Sequence, residues 1–143
     1  MLNVLLAVDG SDASNRGVKK LVETASWYRE KPTVHLLTVH LPVPRVGGMS
    51  RVIGKNMLDK YYREESREMM KGARKLLDKA GIPYQEHVQV GQVAECIVNM
   101  AGELDCDFIY MGTRGLGAVS NLVLGSTATK VLHMTKVPVV MIR

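Results

Sequence analysis

Five short apolar runs alternate with four amphipathic segments along the whole chain, and this alternation limits most strongly how the chain can fold. The runs, typical of strands, are VLLAV (4–8), TVHLLTV (33–39), VQV within YQEHVQV (84–90), FIYMG (108–112) and VPVVMI (137–142). The segments between them have helical periodicity. Parallel strands joined by right-handed helical crossovers satisfy this order, so the sequence predicts an α/β fold, a single doubly wound sheet with helices on both faces.

The four helical segments carry recognisable faces and end signals. The first starts at the candidate caps Ser11 and Asp12 and closes at Lys31-Pro32, and the second, about 56–80, stops at Gly81. The third covers about 92–104 and the fourth about 126–134. The predicted apolar faces are Val18, Leu21, Val22, Ala25 and Tyr28 in the first helix, and Leu58, Tyr61, Met69, Ala73, Leu76, Leu77 and Ala80 in the second, where the face lapses at Glu65.

Length and composition indicate one domain, residues 1–143, with an ordinary hydrophobic core. The two cysteines, Cys96 and Cys106, stand ten positions apart without a CxxC or a histidine at ligand spacing, which favours reduced, buried thiols over zinc or a disulfide. Asp9 interrupts the first apolar run before it could form a signal sequence, and no apolar stretch approaches about 18 residues. We therefore expect a soluble, cytoplasmic protein with no membrane partner.

The net charge of +5 is concentrated in one region. Residues 45–79 contain ten Lys or Arg against five acidic residues, and the rest of the chain is balanced. A basic surface could attract nucleic acid, but here the acidic residues are interleaved at helical spacings that favour pairs within one helix. We predict a solvated helix face and no nucleic-acid partner.

Doubly wound sheets bind ligands beyond the carboxyl ends of their strands, where the winding reverses. The residues that follow the predicted strands are Asp9-Gly10-Ser11, His40 to Gly54, Gly91, Gly112 to Leu124, and Arg143. Two of these segments stand out, the DGS turn after the first strand and the glycine-rich loop after the fourth.

The glycine-rich segment GTRGLGAVSNLVLGSTATK (112–130) is not a common phosphate cradle. It lacks the GK[ST] ending of a Walker A loop, and Ser120 occupies the third glycine position of a dinucleotide fingerprint. What remains is Gly112-x2-Gly115-x9-Gly125-Ser126, which leads into the last helix. Unpaired N–H groups at Gly125, Ser126 and Thr127 would suit an anion. Alternatively, Ser126 simply caps the helix.

With its LLAVDGSDAS start and VPVVMIR end, this G-x2-G-x9-G-[ST] spacing resembles the universal stress protein family, over essentially the full length of the chain. The resemblance implies a five-stranded parallel sheet in the order 3-2-1-4-5, a Rossmann-like fold of the adenine nucleotide alpha hydrolase type. It also implies ATP between the ends of strands one and four, because family members that lack the spacing generally do not bind nucleotide. Finally, it implies a homodimer through the last strand, 137–142.

The same resemblance assigns roles to individual residues. Ala7, Val8 and Asp9 match the turn beside adenine and ribose, where Asp9 is also placed near a phosphate-bound Mg²⁺, and Val39 matches the position whose backbone contacts the adenine edge. The ribose and phosphate positions are Met111, Gly112, Arg114, Gly115, Gly125, Ser126 and Thr127. At Arg114, whose family counterpart varies, a solvated arginine is the alternative to a phosphate contact.

Three features stay open at this stage. Asp9 either contacts a ligand or accepts the N–H groups of Ser11 and Asp12. The long loop 41–55 is either a lid over a nucleotide or disordered. The four histidines, His35, His40, His87 and His133, show no Ser or Cys partner at a recognisable spacing, so core or surface roles are favoured over chemistry.

The predicted function is that of an ATP-binding regulatory protein of the stress response, with no catalytic residues and little or no ATPase activity. The sequence offers no dedicated base beyond Asp9, whereas fast hydrolysis needs one. The alternatives are a slow nucleotide hydrolase on the same fold and a ligand-free homodimeric interaction module. A signalling receiver domain is disfavoured, because no acidic residue follows the third strand at Gly91.

Overall fold

The computed structural model describes residues 1–42, 54–113 and 124–143. The candidate site residues Arg114 and Gly115, and most of the proposed lid at 41–55, lie outside the described residues. Five strands and four α-helices alternate in the described part. They are β1 (Asn3–Ala7), α1 (Asp12–Thr24), a 3-10 helix (Ala25–Trp27), β2 (Thr33–His40), α2 (Lys55–Ala80), β3 (Tyr84–Val90), α3 (Val93–Glu103), β4 (Phe108–Gly112), α4 (Ser126–Met134) and β5 (Val139–Ile142).

All the strand pairs are parallel and the sheet order is β3-β2-β1-β4-β5. This confirms the predicted α/β class, the five-stranded sheet and the order 3-2-1-4-5. The strand β1 is central, with β2 on one side and β4 on the other, so the winding reverses at β1. The two edges of the sheet are β3 and β5.

Alternate residues of the strands face two separate core layers, because side chains alternate across a sheet. Val4, Leu6 and Leu36 pack with residues of α1 and α2, including Met70 and Leu77. The opposite layer joins the strands to α3 and α4, and its buried members include Leu5, Leu37, Ile97, Ile109 and Val131. The helices therefore cover both faces of the sheet, as the periodicity predicts.

The helix α1 begins as predicted but ends earlier. Ser11 is its N-cap, and the Ser11 Oγ accepts the N–H of Ser14. The α-helix stops at Thr24, well before Lys31-Pro32, and Tyr28 lies beyond the 3-10 helix. Tyr28 still packs against the sheet, because its hydroxyl lies 2.7 Å from the buried hydroxyl of Tyr110.

The predicted apolar face of α2 is wrong in its first half. The buried residues are Tyr62, Ser66, Met70, Ala73 and Leu77, whereas the predicted Tyr61 is exposed and Met69 is only half-buried. In this part of α2 the buried face is therefore shifted by one residue from the predicted face. Where the predicted apolar pattern was interrupted at Glu65, the buried residue is the neighbouring Ser66. The predicted helix end is correct, because Gly81 forms the left-handed C-cap at φ 65°.

The predicted solvated face of α2 is present, and one of the two cysteines is buried as expected. Except for half-buried Arg74, the Lys and Arg residues of α2 are exposed, so they form the predicted solvated face. Both cysteines are free, Cys106 buried and Cys96 half-buried, and burial raises the pKa of the Cys106 thiol to about 11. Within the described ranges, no helix combines the length and apolarity needed to span a bilayer.

Candidate functional site

The site is built where the carboxyl ends of β1 and β4 lie side by side. These strands pair through Val4 with Phe108, Leu5 with Ile109 and Leu6 with Tyr110. The segments that leave them, the turn at Asp9 and the segment after Gly112, therefore start from neighbouring positions at the point where the winding reverses. Each leads into a helix, α1 or α4, whose N-terminus lies at this edge.

The turn after β1 satisfies its polar groups internally. The Asp9 carboxylate Oδ1 accepts the N–H of Ser11 at 2.9 Å, and the Asp9 N–H donates to Ser14 Oγ at 3.2 Å. The Ser11 Oγ accepts the Ser14 N–H at 3.1 Å and so caps α1. The predicted Asp9 contact with Ser11 is therefore present, and within the described ranges Asp9 Oδ2 has no hydrogen-bond partner and stays available.

Gly10 is a site residue to which the sequence analysis gave no role. Its φ is +82°, a left-handed conformation that costs other residues free energy. A Cβ at this position would lie 3.1 Å from Met69 Cα, in the backbone of α2. The glycine allows the turn to pass close to the backbone of α2. In the sequence, a glycine just beyond a predicted strand was the feature that could have indicated this close approach.

Thr113 and Gly125, which lie on either side of a segment that the structure does not describe, are joined by a backbone contact. The Thr113 N–H donates to the Ile142 carbonyl at 2.9 Å, and the Gly125 N–H donates to the Thr113 carbonyl at 2.5 Å. One prediction is therefore wrong, because the N–H of Gly125 is paired rather than open. The alternative in which Ser126 caps the helix is also excluded, because the N-cap of α4 is Gly125.

The N-terminus of α4 is left without a side-chain cap. Neither a capping side chain nor an acidic residue occurs in its first turn, within the part of the chain that the structure describes. The helix starts at exposed Ser126, followed by half-buried Thr127. The first N–H groups of a helix have no partner inside it, and they carry the positive end of the helix dipole. This end of the site is therefore suited to an anion.

The apolar candidates divide between the two faces of the sheet. Ala7, Val39 and Met111 belong to the layer of α3 and α4, and Ala7 and Val39 are half-buried. Val8 instead packs into the layer of α1 and α2, and its N–H donates to the Leu37 carbonyl at 2.9 Å. The structure thus brings three of the four apolar candidates to one face, next to the start of α4.

A buried polar cluster lies next to Val39 and was missed by the sequence analysis. The Thr38 hydroxyl donates to Ser66 Oγ at 3.2 Å, and His40 Nε2 lies 2.7 Å from the same oxygen. Burial lowers the pKa of His40, an effect that nearby Glu65 partly opposes. His40 is buried, which agrees with the core role favoured by the sequence. Its partner Ser66 lies on a different element, so no local spacing indicated the contact. The cluster attaches α2 to the end of β2.

Comparisons with known proteins give a consistent family. The family model described as the universal stress protein family matches residues 1–143. A Thermus aquaticus protein, the universal stress protein in the QAH/OAS sulfhydrylase 3′ region, is 33% identical over 147 residues, which cover 98% of this chain and 97% of the relative.

Solved structures show the same fold. The hypothetical protein MJ0577 superposes with a TM-score of 0.81 at 25% identity, covering 99% of this chain and 94% of the other. A universal stress protein in complex with cAMP gives 0.68 at 23% identity, with 99% and 97% covered. The Archaeoglobus fulgidus universal stress protein in complex with dAMP gives 0.67 at 24% identity, with 100% and 98% covered. The family model and the Thermus relative together show that this chain belongs to the universal stress protein family.

Proposed function

We propose that this chain is an ATP-binding universal stress protein that acts as a nucleotide-dependent regulator and hydrolyses ATP slowly or not at all. The observation that carries the proposal is the N-terminus of α4, which no described side chain caps and which follows β4, the neighbour of the strand that ends at the Asp9 turn. Two structural relatives in complex with cAMP and dAMP support an adenine nucleotide as the ligand.

In this proposal the nucleotide lies across the carboxyl edge from β2 to α4. Phosphates bind at the N–H groups of Ser126 and Thr127, and Gly125 allows close approach without a side chain. The half-buried Ala7 and Val39 lie on the sheet face where the adenine would pack. Gly112 and Met111 end the strand beside it. Arg114 and Gly115 complete the proposed phosphate loop from outside the described residues.

A magnesium ion carried with the nucleotide fits the donors that are present. Among the described residues there is no group of three or more His, Cys, Asp or Glu side chains that could hold a metal by itself. Mg²⁺ usually takes one or two protein carboxylates together with phosphate oxygens and waters. The Oδ2 of Asp9 is the carboxylate oxygen that we assign to this role. Bound there, the ion would supply charge neutralisation to the phosphates.

Slow or absent hydrolysis follows from the chemistry of the proposed site. Fast phosphoryl transfer needs a group that positions the attacking water and further charge stabilisation. Among the described residues Asp9 is the carboxylate candidate in the turn after β1, and its Oδ1 is already engaged by the Ser11 N–H. His40, at the end of β2, is buried and its Nε2 is engaged by Ser66 Oγ. We therefore assign Asp9 to metal and nucleotide binding rather than to proton abstraction.

The decisive experiment measures binding of ATP, ADP, AMP and cyclic AMP by calorimetry, with Ser126→Asp as the test variant. An aspartate in the first turn favours the helix but repels phosphate, so the variant should fold at least as stably and bind ATP at least about tenfold more weakly. Asn99→Asp adds the same charge at an exposed position of α3 and should leave affinity unchanged. Absence of binding to all four nucleotides would refute the proposal.

Hydrolysis is tested separately by single turnover of labelled ATP with Mg²⁺. Asp9→Asn is the suitable variant, because an amide oxygen can still accept the Ser11 N–H and keep the turn. We expect no fast phase in either protein. A fast phase in the wild type that disappears in Asp9→Asn would show instead that the protein is a nucleotide hydrolase.

We further propose that the protein is a homodimer through residues 137–142. The strand β5 is an edge of the sheet, and its Pro138 and Ile142 carbonyls accept N–H groups from the β4 side. Because backbone groups alternate along a strand, those of Val139 and Met141 point to the open edge and can pair with a second copy. Sedimentation velocity should show dimers at micromolar concentration. A monomer there would contradict the interface without affecting the nucleotide proposal.

A further inference from the structure

Two histidines face each other on neighbouring strands, away from the proposed nucleotide site. In the parallel register His87 of β3 pairs with Leu37, two residues beyond His35 on β2. The two imidazoles therefore lie diagonally on one face of the sheet, with His35 Nδ1 only 3.0 Å from His87 Nε2. Neither residue has a role in the proposed nucleotide chemistry.

The pair is reachable from solvent on one side. His35 is buried, but His87 is half-buried and belongs to the edge strand β3. Gln85 and Gln89 lie on the same face of β3 as His87, one on each side of it, and both are exposed. An ion can thus approach from the β3 side while the buried ring of His35 is held in place by the core.

Both rings are suited to act as neutral nitrogen ligands. Burial lowers the pKa of His35 and of His87, and the neighbouring His87 lowers that of His35 further. The two ring nitrogens lie 3.0 Å apart, which requires that at least one of them carries no proton, and an unprotonated ring nitrogen is the form that binds metals. A neutral ring carries one N–H, and by changing tautomer it can keep that proton on its outer nitrogen and present a lone pair from the inner one.

We propose that His35 and His87 together bind one divalent transition-metal ion of the zinc type, with water completing its coordination. Imidazole nitrogens prefer Zn²⁺, Ni²⁺ and Cu²⁺ to Mg²⁺ or Ca²⁺. Zinc lies about 2.0–2.1 Å from such nitrogens, so two tetrahedral ligands are about 3.3 Å apart. The observed contact is a hydrogen bond, with the ring centroids 5.2 Å apart. The rings must therefore separate by a few tenths of an ångström and turn so that both inner nitrogens point at one ion.

The site is of the exchangeable kind rather than a structural zinc site. Structural sites have four protein ligands, whereas the described residues contain no cluster of three or more His, Cys, Asp or Glu side chains placed to bind a metal. Two protein ligands leave open positions for water. Metal binding here would fasten the edge strand β3 to β2.

Calorimetric titration of the untagged full chain with ZnCl₂ at about pH 7.5 tests the proposal. We expect one saturable site per chain, and in His87→Gln an affinity at least about tenfold lower. The glutamine keeps a polar side chain at this half-buried edge position, and melting curves without metal check that the fold is retained. His133→Gln removes an exposed histidine from α4 and should bind zinc as the wild type does.

Two results would overturn the metal site: wild-type protein without saturable one-to-one binding, or His87→Gln with wild-type affinity. ATP affinity, measured in the same variants, should not change. Because the two binding events are read separately, failure of the zinc site would not be mistaken for failure of the nucleotide site.

Discussion

The helices α1 and α4 both begin beyond the carboxyl edge of the sheet, yet their first turns are satisfied in opposite ways. At α1, Ser11 caps the helix and Asp9 and Ser14 close the turn before it. At α4, Gly125 is the N-cap and no described side chain caps the first turn. A helix N-terminus attracts anions only where its N–H groups are not already used. The comparison therefore favours α4 over α1 as the phosphate end of the proposed site, and it gives the turn at α1 a structural role beside its proposed metal contact.

We call the internally hydrogen-bonded part of this edge the closed half; it includes the turn from Asp9 to Ser14 and extends beyond α1. The cluster of Thr38, His40 and Ser66 joins β2 to α2 in the same internal manner, and Gly10 lets the first turn pass beneath Met69 of α2. The protein thus places one internally bonded half next to one half in which no described side chain caps the helix. The predictions below disturb the closed half in decreasing order of expected effect.

Gly10→Ala should have the largest effect. The substitution forces a side chain into a left-handed conformation and brings its Cβ to 3.1 Å from the backbone of α2, so we expect a loss of about 2–3 kcal/mol in unfolding free energy. Urea unfolding measures it. Gly102→Ala is the control, because no atom lies near its added Cβ in α3 and alanine favours helix. A Gly10→Ala protein as stable as the wild type would show that the turn tolerates a different path.

Ser66→Ala should have the next largest effect. It removes the oxygen shared by Thr38 and His40, leaving two buried polar groups without this partner. We expect a loss of about 1–2 kcal/mol. The exposed Ser26, whose hydroxyl donates to the Glu23 carbonyl, provides the control Ser26→Ala, with an expected change below about 0.5 kcal/mol. Equal effects of the two substitutions would mean that the buried cluster adds no stability.

The pair Ser11→Ala and Ser126→Ala tests the comparison of the two helices directly. Loss of the Ser11 cap should cost about 1 kcal/mol of stability. Loss of the Ser126 hydroxyl should cost less than about 0.5 kcal/mol, because this residue does not cap its helix. Chemical unfolding of both variants gives the answer. If Ser126→Ala proves as costly as Ser11→Ala, α4 is capped in solution and its N-terminus is not open.

The sequence allowed the sheet order and helix positions to be predicted, because strand and helix periodicities are local and the family resemblance supplied the order. The prediction failed in α2, where two adjacent apolar residues are both suited to the same buried position. Both Tyr61 and Tyr62, and both Met69 and Met70, are apolar enough for the buried face of α2. The choice depends on Ser66, whose burial is made favourable by hydroxyl and imidazole groups of β2.

The site was predictable to the same extent. The turn at Asp9 was located correctly, because its residues interact within five positions of one another. The start of α4 at Ser126 also agrees with the predicted helix 126–134, but the pairing of the Gly125 N–H was not predicted. That N–H donates to the carbonyl of Thr113, which belongs to the end of β4. Hydrogen bonds between segments that are distant in sequence cannot be predicted from the local sequence pattern.

Acid should weaken the closed half gradually, and we rank this effect last because it develops over a range of pH. Burial lowers the pKa of His40, and likewise of His35 and His87. Below the unfolded-state pKa of about 6.5, the unfolded chain then binds more protons than the folded one. Stability is therefore fully present above that pH and falls as the pH drops toward the lower folded-state values. Urea unfolding at about pH 7.5 and about pH 5.5 measures this loss, which should be smaller in His40→Asn because one buried imidazole has been removed. An equal loss in His40→Asn would show that the protonation of His40 is not coupled to folding.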